Sequence, residues 1–391
     1  MGKRKEDIKT SAIVLTGATG FLGGHLMAAL LEQDYQLVLL GRSTAEGNLR
    51  DRIGKLLNWF DLGDRTSQIE MVEVDLLKTR FGLERKAYES LCAKVGSIVH
   101  CASDTRFSES RRREIADVNV RGLNGVIDLA GDGRASCLHY VSTAFVAAGE
   151  SSLCREVPVN SAGFANVYEE TKAQAEKDLA ARCGQGGVPF TIIRPSIVYG
   201  DSRSGRSTLF NALYYHVKAL HFIREIYLND IKKNAGRKSL LHDIRLGENG
   251  VLHLPLRVFL PQRGMVNLIP IDYFVSAVLA ILKHGKAGKI YHLTSDTPKT
   301  LAELLSYCES YLKIDGLQIV YRNPPEGAPL NPPEALLDKF IESYRPYLSD
   351  IRKFERSNTN QVTGGVPPPE LTFEIFERCM DYALRVNWEK T

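Results

Sequence analysis

The stretch VYEETKAQAE, residues 167–176, sets Tyr168 four residues ahead of Lys172. On a helix that spacing puts both side chains on one face. A phenol is a reluctant proton donor at neutral pH, with an ordinary pKa of about 10. An ammonium beside it stabilises the phenolate and brings the donor toward working range. The pair is suited to handing a proton to an oxygen that is gaining charge. Tyr and Lys also share helix faces with no chemistry at all, so the pair takes its meaning from its surroundings.

The strongest surrounding motif is TGATGFLGGHL, 16–26, where Gly17, Gly20 and Gly23 recur at threes. It follows an apolar run and opens an amphipathic stretch. Glycines there let the backbone turn tightly, approach a pyrophosphate and pack helix on strand. The helix N-terminus then offers free N–H groups to the phosphates. This pattern predicts a dinucleotide site. At the end of the second apolar run, where an NAD site usually carries Asp or Glu, the chain reads LLGRST. Arg42 supplies a cation and Ser43 a hydroxyl, which suit a 2′-phosphate and favour NADPH over NADH. Arg50 or Arg52 is placed to add a second clamp. Asp75 suits the adenine amine, and equally a strand-end cap.

The elements that must position these groups are legible as alternation. Short apolar runs occur at 12–17, 35–41, 69–75, 97–103, 137–143 and 190–196. They are rich in β-branched residues and do not alternate, as in strands buried on both faces. Helical patterns at 21–33, 84–94, 112–130 and 166–183 lie between them. Repeated β-α units predict an α/β fold, a Rossmann-type doubly wound parallel sheet. After residue 205 the texture changes. A helix is expected over 206–233, a strand over 251–261, a helix over 271–284, a strand over 289–295 and a final helix over 371–386. The Pro-rich runs 323–334 and 364–370 read as loops. Residues 1–205 are thus expected to form the dinucleotide-binding domain. Residues 206–391 are expected to form a smaller, mostly helical substrate-binding lobe, with strands around 266–295 returning to the main domain.

Composition excludes several classes. The 391 residues are 44% hydrophobic and 25% charged, ordinary for a globular protein. A net charge of +4 does not point to nucleic acid. No apolar run reaches the length of a membrane span. The seven cysteines are widely spaced and contain no CxxC, so no metal site is expected. The polar, basic start MGKRKEDIKT has no signal-peptide core, and a reducing cytoplasm is the expected location. His100, His139 and His292 sit in apolar runs and read as core histidines. Arg194 reads either as a cleft residue or as an anchor. No oligomeric state is specified.

The motifs together resemble the extended short-chain dehydrogenase/reductases. TGATGFLG, the VDL step at 74–76, IVHCAS at 98–103, Asn119 in DVNVRG, HYVSTAFV at 139–146, YxxxK and IIRPSIVYG at 192–200 carry the resemblance. Within that group VSTAFV, RPSIVYGDSRSG at 194–205 and YRPYLSDIRKFERSN at 344–358 are similar to the thioester-reductase branch. That branch includes terminal reductase domains of nonribosomal peptide synthetases, carboxylic acid reductases and fatty acyl reductases. Ser103 and the Gly41-Arg42 pair depart from the usual Ala and Val-Arg. The resemblance implies catalytic roles for Thr143, Tyr168 and Lys172, with Ser142 the candidate if the register differs by one. It implies cofactor contacts from Gly17, Thr19, Gly20, Phe21, Leu22, Gly23, Arg42, Ser43, Arg52, Asp75, Leu76, Cys101, Ala102, Ser103, Asn119, Pro195, Ser196 and Ile197.

The implied reaction is NADPH-dependent reduction of an acyl thioester to an aldehyde, with the alcohol as a further end point. The implied thiol carrier is coenzyme A or an acyl or peptidyl carrier protein. Residues 201–240 hold eight Lys/Arg against three Asp/Glu, a local +5 that suits an acidic carrier, or simply a solvated helix face. Competing expectations on the same scaffold are a reductase of ketones or sterol-like carbonyls, a sugar epimerase or dehydratase, and a nucleotide sensor without catalysis.

Overall fold

The computed structural model describes residues 11–147, 153–159, 163–261, 263–321 and 329–390. The basic start at 1–10 and the first half of the Pro-rich run 323–334 lie outside them.

The apolar runs become seven strands: β1 (Ala12–Thr16), β2 (Leu37–Gly41), β3 (Ile69–Glu73), β4 (Val95–His100), β5 (Leu138–Val141), β6 (Phe190–Pro195) and β7 (Ile290–Leu293). Their order is β7-β6-β5-β4-β1-β2-β3, and every pairing is parallel. In chain order the main helices are α1 (Phe21–Glu32), α2 (Leu49–Trp59), α3 (Arg85–Cys92), α4 (Arg112–Ala116), α5 (Gly122–Asp132), α6 (Val167–Gly186), α7 (Leu213–Lys233), α8 (Ile271–His284), α9 (Leu301–Leu312), α10 (Pro332–Ile341) and α11 (Phe373–Arg385).

Strand residues divide between two cores. Ile13, Leu15, Leu37 and Leu39 pack with α1, α2 and α8 on one face. Val14, Val38, Leu40 and Ile98 pack with α3, α5 and α6 on the other. Burial on both faces explains why the runs do not alternate. A third core joins α7, α9, α10 and α11 to the pair Arg257–Leu260 and Gln318–Tyr321. This is the lobe. Residues 268–293 serve the platform: Leu268–Pro270 pairs with Ile197–Tyr199, α8 packs in the core with α1, and β7 ends the sheet.

Several expected elements differ. The helix of 206–233 begins only at Leu213, because Gly205 and Ala212 both take positive φ, +72° and +46°. The strand of 251–261 splits around Pro255 into Leu252–His253 and Arg257–Leu260, which find different partners. The expected loop at 323–334 ends in helix: Asn331 caps α10 and Pro332 fills its first position, where a missing N–H is harmless. The helix of 112–130 is interrupted by a π-turn, Asp117–Arg121. Helix α9 was not anticipated, although Thr300 and Glu303 form a capping box at its start.

Candidate active site

The strand order reverses beside β1, with β4 on one side and β2 on the other. Ligands of open α/β sheets settle at the carboxyl ends of such a switch. Gly17 follows β1 with φ +75°, and a Cβ there would sit 2.6 Å from the Ala102 nitrogen. A Cβ on Gly23 would sit 2.2 Å from the Gly17 carbonyl oxygen. At Gly20 a Cβ would meet only that same oxygen, at 3.3 Å. The backbone N–H groups of Cys101 and Ala102 donate to the Thr16 carbonyl and hydroxyl, both at 3.2 Å. The loop after β4 is thereby held against the glycine turn. Helix α1 starts on Gly20 with no side-chain cap and no acid in its first turn. The N–H groups of Phe21 and Leu22 are left to receive an anion. This cradle fits a dinucleotide pyrophosphate.

At the ribose end, Arg52 donates to Thr19 Oγ1 at 2.5 Å and to the Arg42 carbonyl at 3.1 Å. The Arg42 side chain is exposed and has no ion pair among the described residues. Ser43 is committed: its hydroxyl donates to Glu73 at 2.8 Å. Glu73 also accepts from the Leu49 N–H, and these two bonds hold its carboxyl below the usual range. The expected free Ser43 donor is therefore engaged by an acid from the neighbouring strand. Asp75 accepts from the Leu77 N–H at 3.0 Å, a turn cap that leaves its second oxygen facing Lys78 at 3.9 Å. Leu76 packs against α5 at Gly122.

Beyond β5 the chain stays extended through Thr143 and then makes one turn, Ala144–Val146, capped by Thr143 Oγ1 on the Phe145 N–H. The Thr143 hydroxyl lies close enough to the Tyr168 phenol to favour its ionised form. Ser142 Oγ is buried without a partner among the described residues. The structure thus brings Thr143 to the phenol and leaves Ser142 apart. Helix α6 is started by Asn166, whose side chain accepts from the Glu169 N–H at 3.0 Å. Burial pushes the Tyr168 phenol up, and the Thr143 hydroxyl opposes it.

Lys172 is 2% exposed. Its ammonium donates to the Val141 carbonyl at 2.6 Å and lies 4.4 Å from the centre of the Tyr140 ring. Burial lowers it to about 7, against the pull of Glu176 and Cys101. The two residues share a helix face, and the ammonium reaches down to the strand end, where a buried cation takes the nearest carbonyl.

Asn119 sits in the π-turn with both ends of its amide in use. Oδ1 accepts from Ser103 Oγ at 3.0 Å and the Asp104 N–H at 2.7 Å. Nδ2 donates to the Asp104 carbonyl at 2.9 Å and Thr171 Oγ1 at 3.0 Å. It ties the loop after β4 to α6. Arg194, fully buried, pairs with Glu176 at 2.6 Å and is an anchor. His100 and His139 bond Thr16 and Thr191, each at 2.8 Å, as core histidines. His292 lies beside Arg194 at 3.3 Å. Pro195 closes β6, Ser196 Oγ is buried without a described partner, and Ile197 lines a cavity in the lobe.

That cavity has an accessible volume of about 100 Å³ and opens to solvent. Its walls are apolar side chains from α7, α9 and α10, with Val258, Leu260, Tyr344, Tyr347 and Leu348. Rings connect it to the phenol. Phe107 lies 6.2 Å from Tyr168, 5.9 Å from Tyr344 and 5.6 Å from Tyr347. The 344–358 segment braces this junction. Asn166 donates to the Tyr347 hydroxyl at 2.7 Å, and Arg352 donates to the Phe145 and Ala147 carbonyls, both at 3.3 Å. Phe107, Tyr344, Tyr347 and Arg352 went unassigned from sequence; only the family likeness of 344–358 signalled three of them. Among the described residues no cluster of His, Cys, Asp or Glu is arranged for a metal, and no helix is long and apolar enough to cross a membrane.

Comparison with known proteins agrees with this geometry. The Male sterility protein family matches residues 15–278. Nonribosomal peptide synthetase asaC of Aspergillus flavus is 25% identical over 302 residues, 73% of this chain and 26% of its own. The chain spans about a quarter or less of the length of such curated relatives. The terminal R domain of the myxalamid PKS-NRPS pathway superposes with a TM-score of 0.75 at 22% identity, covering 97% of this chain and 92% of that one. A thiolation-reductase di-domain of an archaeal non-ribosomal peptide synthetase gives 0.70 at 17% identity, covering 97% and 76%.

Proposed function

The chain belongs to the Male sterility protein family, and from that membership we propose that it is an NAD(P)H-dependent oxidoreductase that reduces acyl thioesters to aldehydes with NADPH. The observation that carries this reading is the junction at Tyr168. There a phenol beside Thr143 at the end of β5 stands between a dinucleotide cradle and a largely apolar cavity. The apolar walls suit an acyl chain and are ill matched to a sugar.

Gly17, Gly20, Gly23, Phe21 and Leu22 would hold the phosphates of NADPH and Arg42 its 2′-phosphate, and the bound cofactor would supply the hydride. Thr143 and Tyr168 hold the thioester oxygen and stabilise its developing charge. Tyr168 gives that oxygen a proton. The resulting hemithioacetal expels its thiol and leaves an aldehyde. Lys172, fixed by Val141 and Tyr140, adds positive potential at this end of the sheet and offers N–H donors to the cofactor's ribose. Reduction of the aldehyde by the same residues gives the alcohol.

The thiol carrier is a phosphopantetheine arm on an acidic carrier protein. Lys232, Lys233, Arg237 and Lys238 are exposed at the end of α7 with no ion pair among the described residues, beside exposed Leu240 and Leu241. None of the seven cysteines is joined in a disulfide, which suits a reducing cytoplasm. The test is NADPH consumption over a panel of acyl-CoA and carrier-bound thioesters, with products identified. Aldehyde formation is expected, and paired charge reversal, Lys232→Glu with Lys233→Glu, should slow only the carrier-bound substrates. No consumption across the panel overturns the assignment.

A further inference from the structure

The lobe cavity contains one polar atom that nothing in the fold uses. His216, on the first turn of α7, lines the cavity among Leu213, Val217 and Leu220. Its Nδ1 faces the Ala212 carbonyl at 3.1 Å. A carbonyl can only accept, so Nδ1 carries the proton. Burial lowers the imidazole to about 4, and it stays neutral at working pH. Nε2 is therefore a lone-pair acceptor, and it is shut off from solvent with no partner among the described residues. The neighbouring hydroxyls are held elsewhere and neither reaches Nε2: Tyr344 accepts from the Ala212 N–H at 3.0 Å, and Tyr347 accepts from Asn166 at 2.7 Å. The Cys308 thiol is pushed up to about 12 by burial and stays protonated.

A buried acceptor without a donor is a standing penalty, and a ligand that brings the donor removes it. We propose that His216 Nε2 accepts a hydrogen bond from an O–H or N–H carried part-way along an otherwise apolar acyl chain seated in this cavity. This inference rests on the reading of the chain as a thioester reductase. The ring path bounds where the donor falls. His216 lies 5.3 Å from Tyr344, which lies 5.9 Å from Phe107, which lies 6.2 Å from Tyr168. The donor lies no further from the reacting carbonyl than this path reaches, and stepping the hydroxyl along the chain locates it. A site built to bond a hydroxyl discriminates against the chain that lacks it far more strongly than apolar packing discriminates by length.

The test titrates the full chain calorimetrically, without nicotinamide, with dodecanoyl-CoA and with isomers bearing one hydroxyl stepped along the chain. One isomer is expected to bind on the order of tenfold more tightly than the plain chain. His216→Leu should bring the two together, and His216→Gln, which keeps both a donor and an acceptor, should restore part of the preference. The leucine variant leaves no carbonyl orphaned, because the Tyr215 N–H also donates to Ala212 at 3.1 Å. Equal binding of every isomer, or a preference that survives His216→Leu, overturns the proposal. Turnover is read separately. If the binding preference holds while NADPH is never oxidised, the thioester-reductase reading falls and the acceptor site stands.

Discussion

On the platform side of Tyr168 several polar side chains are held in directional networks. Asn119 makes four hydrogen bonds, Thr16 holds His100 and two backbone N–H groups, and Arg194 is locked to Glu176. On the lobe side the walls are hydrocarbon for the most part, with His216 the exception. Directional bonds fix the platform to one geometry, which proton and hydride transfer require. Non-directional contacts along most of the lobe wall leave it free to fit chains of different shape. Reaction and selection are thus assigned to two kinds of interaction that touch at Phe107, Tyr344 and Tyr347.

The sharpest way to break this division is Tyr168→Phe. Turnover should fall about 10²–10⁴-fold while NADPH affinity and acyl-chain preference stay as they were. A shift in chain preference, read by competition kinetics, would mean that the two sides are not separable. Leu305→Trp attacks from the other side by filling the cavity. The kcat/KM for long chains should drop by at least about tenfold, with short-chain thioesters and NADPH binding spared. Arg42→Ala probes the platform at its least committed charge. It should reduce the preference for NADPH over NADH by about tenfold, measured as a ratio of kcat/KM values.

The smallest signal is in the pH dependence of stability. Lys172 titrates near 7 when folded and near 10.5 when unfolded. Below 7 both states hold the proton and the burial penalty is felt in full. Between those values the unfolded chain binds more protons, so stability rises with pH, by at most about 1.4 kcal/mol per unit. Denaturation of the cofactor-free protein at pH 7 and pH 9 should show this rise, and Lys172→Met should remove it.

The same contrast explains what could be read from sequence. The glycine turn, the strand ends and the Tyr168 helix are each one contiguous run, and their local geometry follows from local residues. The cavity is not local. Its walls come from positions between Ile197 and Leu348, and no spacing in the chain marks them as neighbours. Within the platform the partners that spacing does not reveal are also non-local. Ser43 bonds Glu73 from the adjacent strand, and Lys172 bonds the carbonyl at the end of β5. The π-turn at Asn119 adds a residue to a helix turn, which a 3.6-residue periodicity does not reveal.

The brace formed by 344–358 makes the mouth of the active site a long-range construction. Tyr347 meets Asn166, 181 positions earlier, and Arg352 meets Phe145, 207 positions earlier. The platform closes over a similar span, since the core around α1 also takes in α8 and β7. Cradle and mouth are therefore completed only when nearly the whole chain is in place, and a cut between them would cost both.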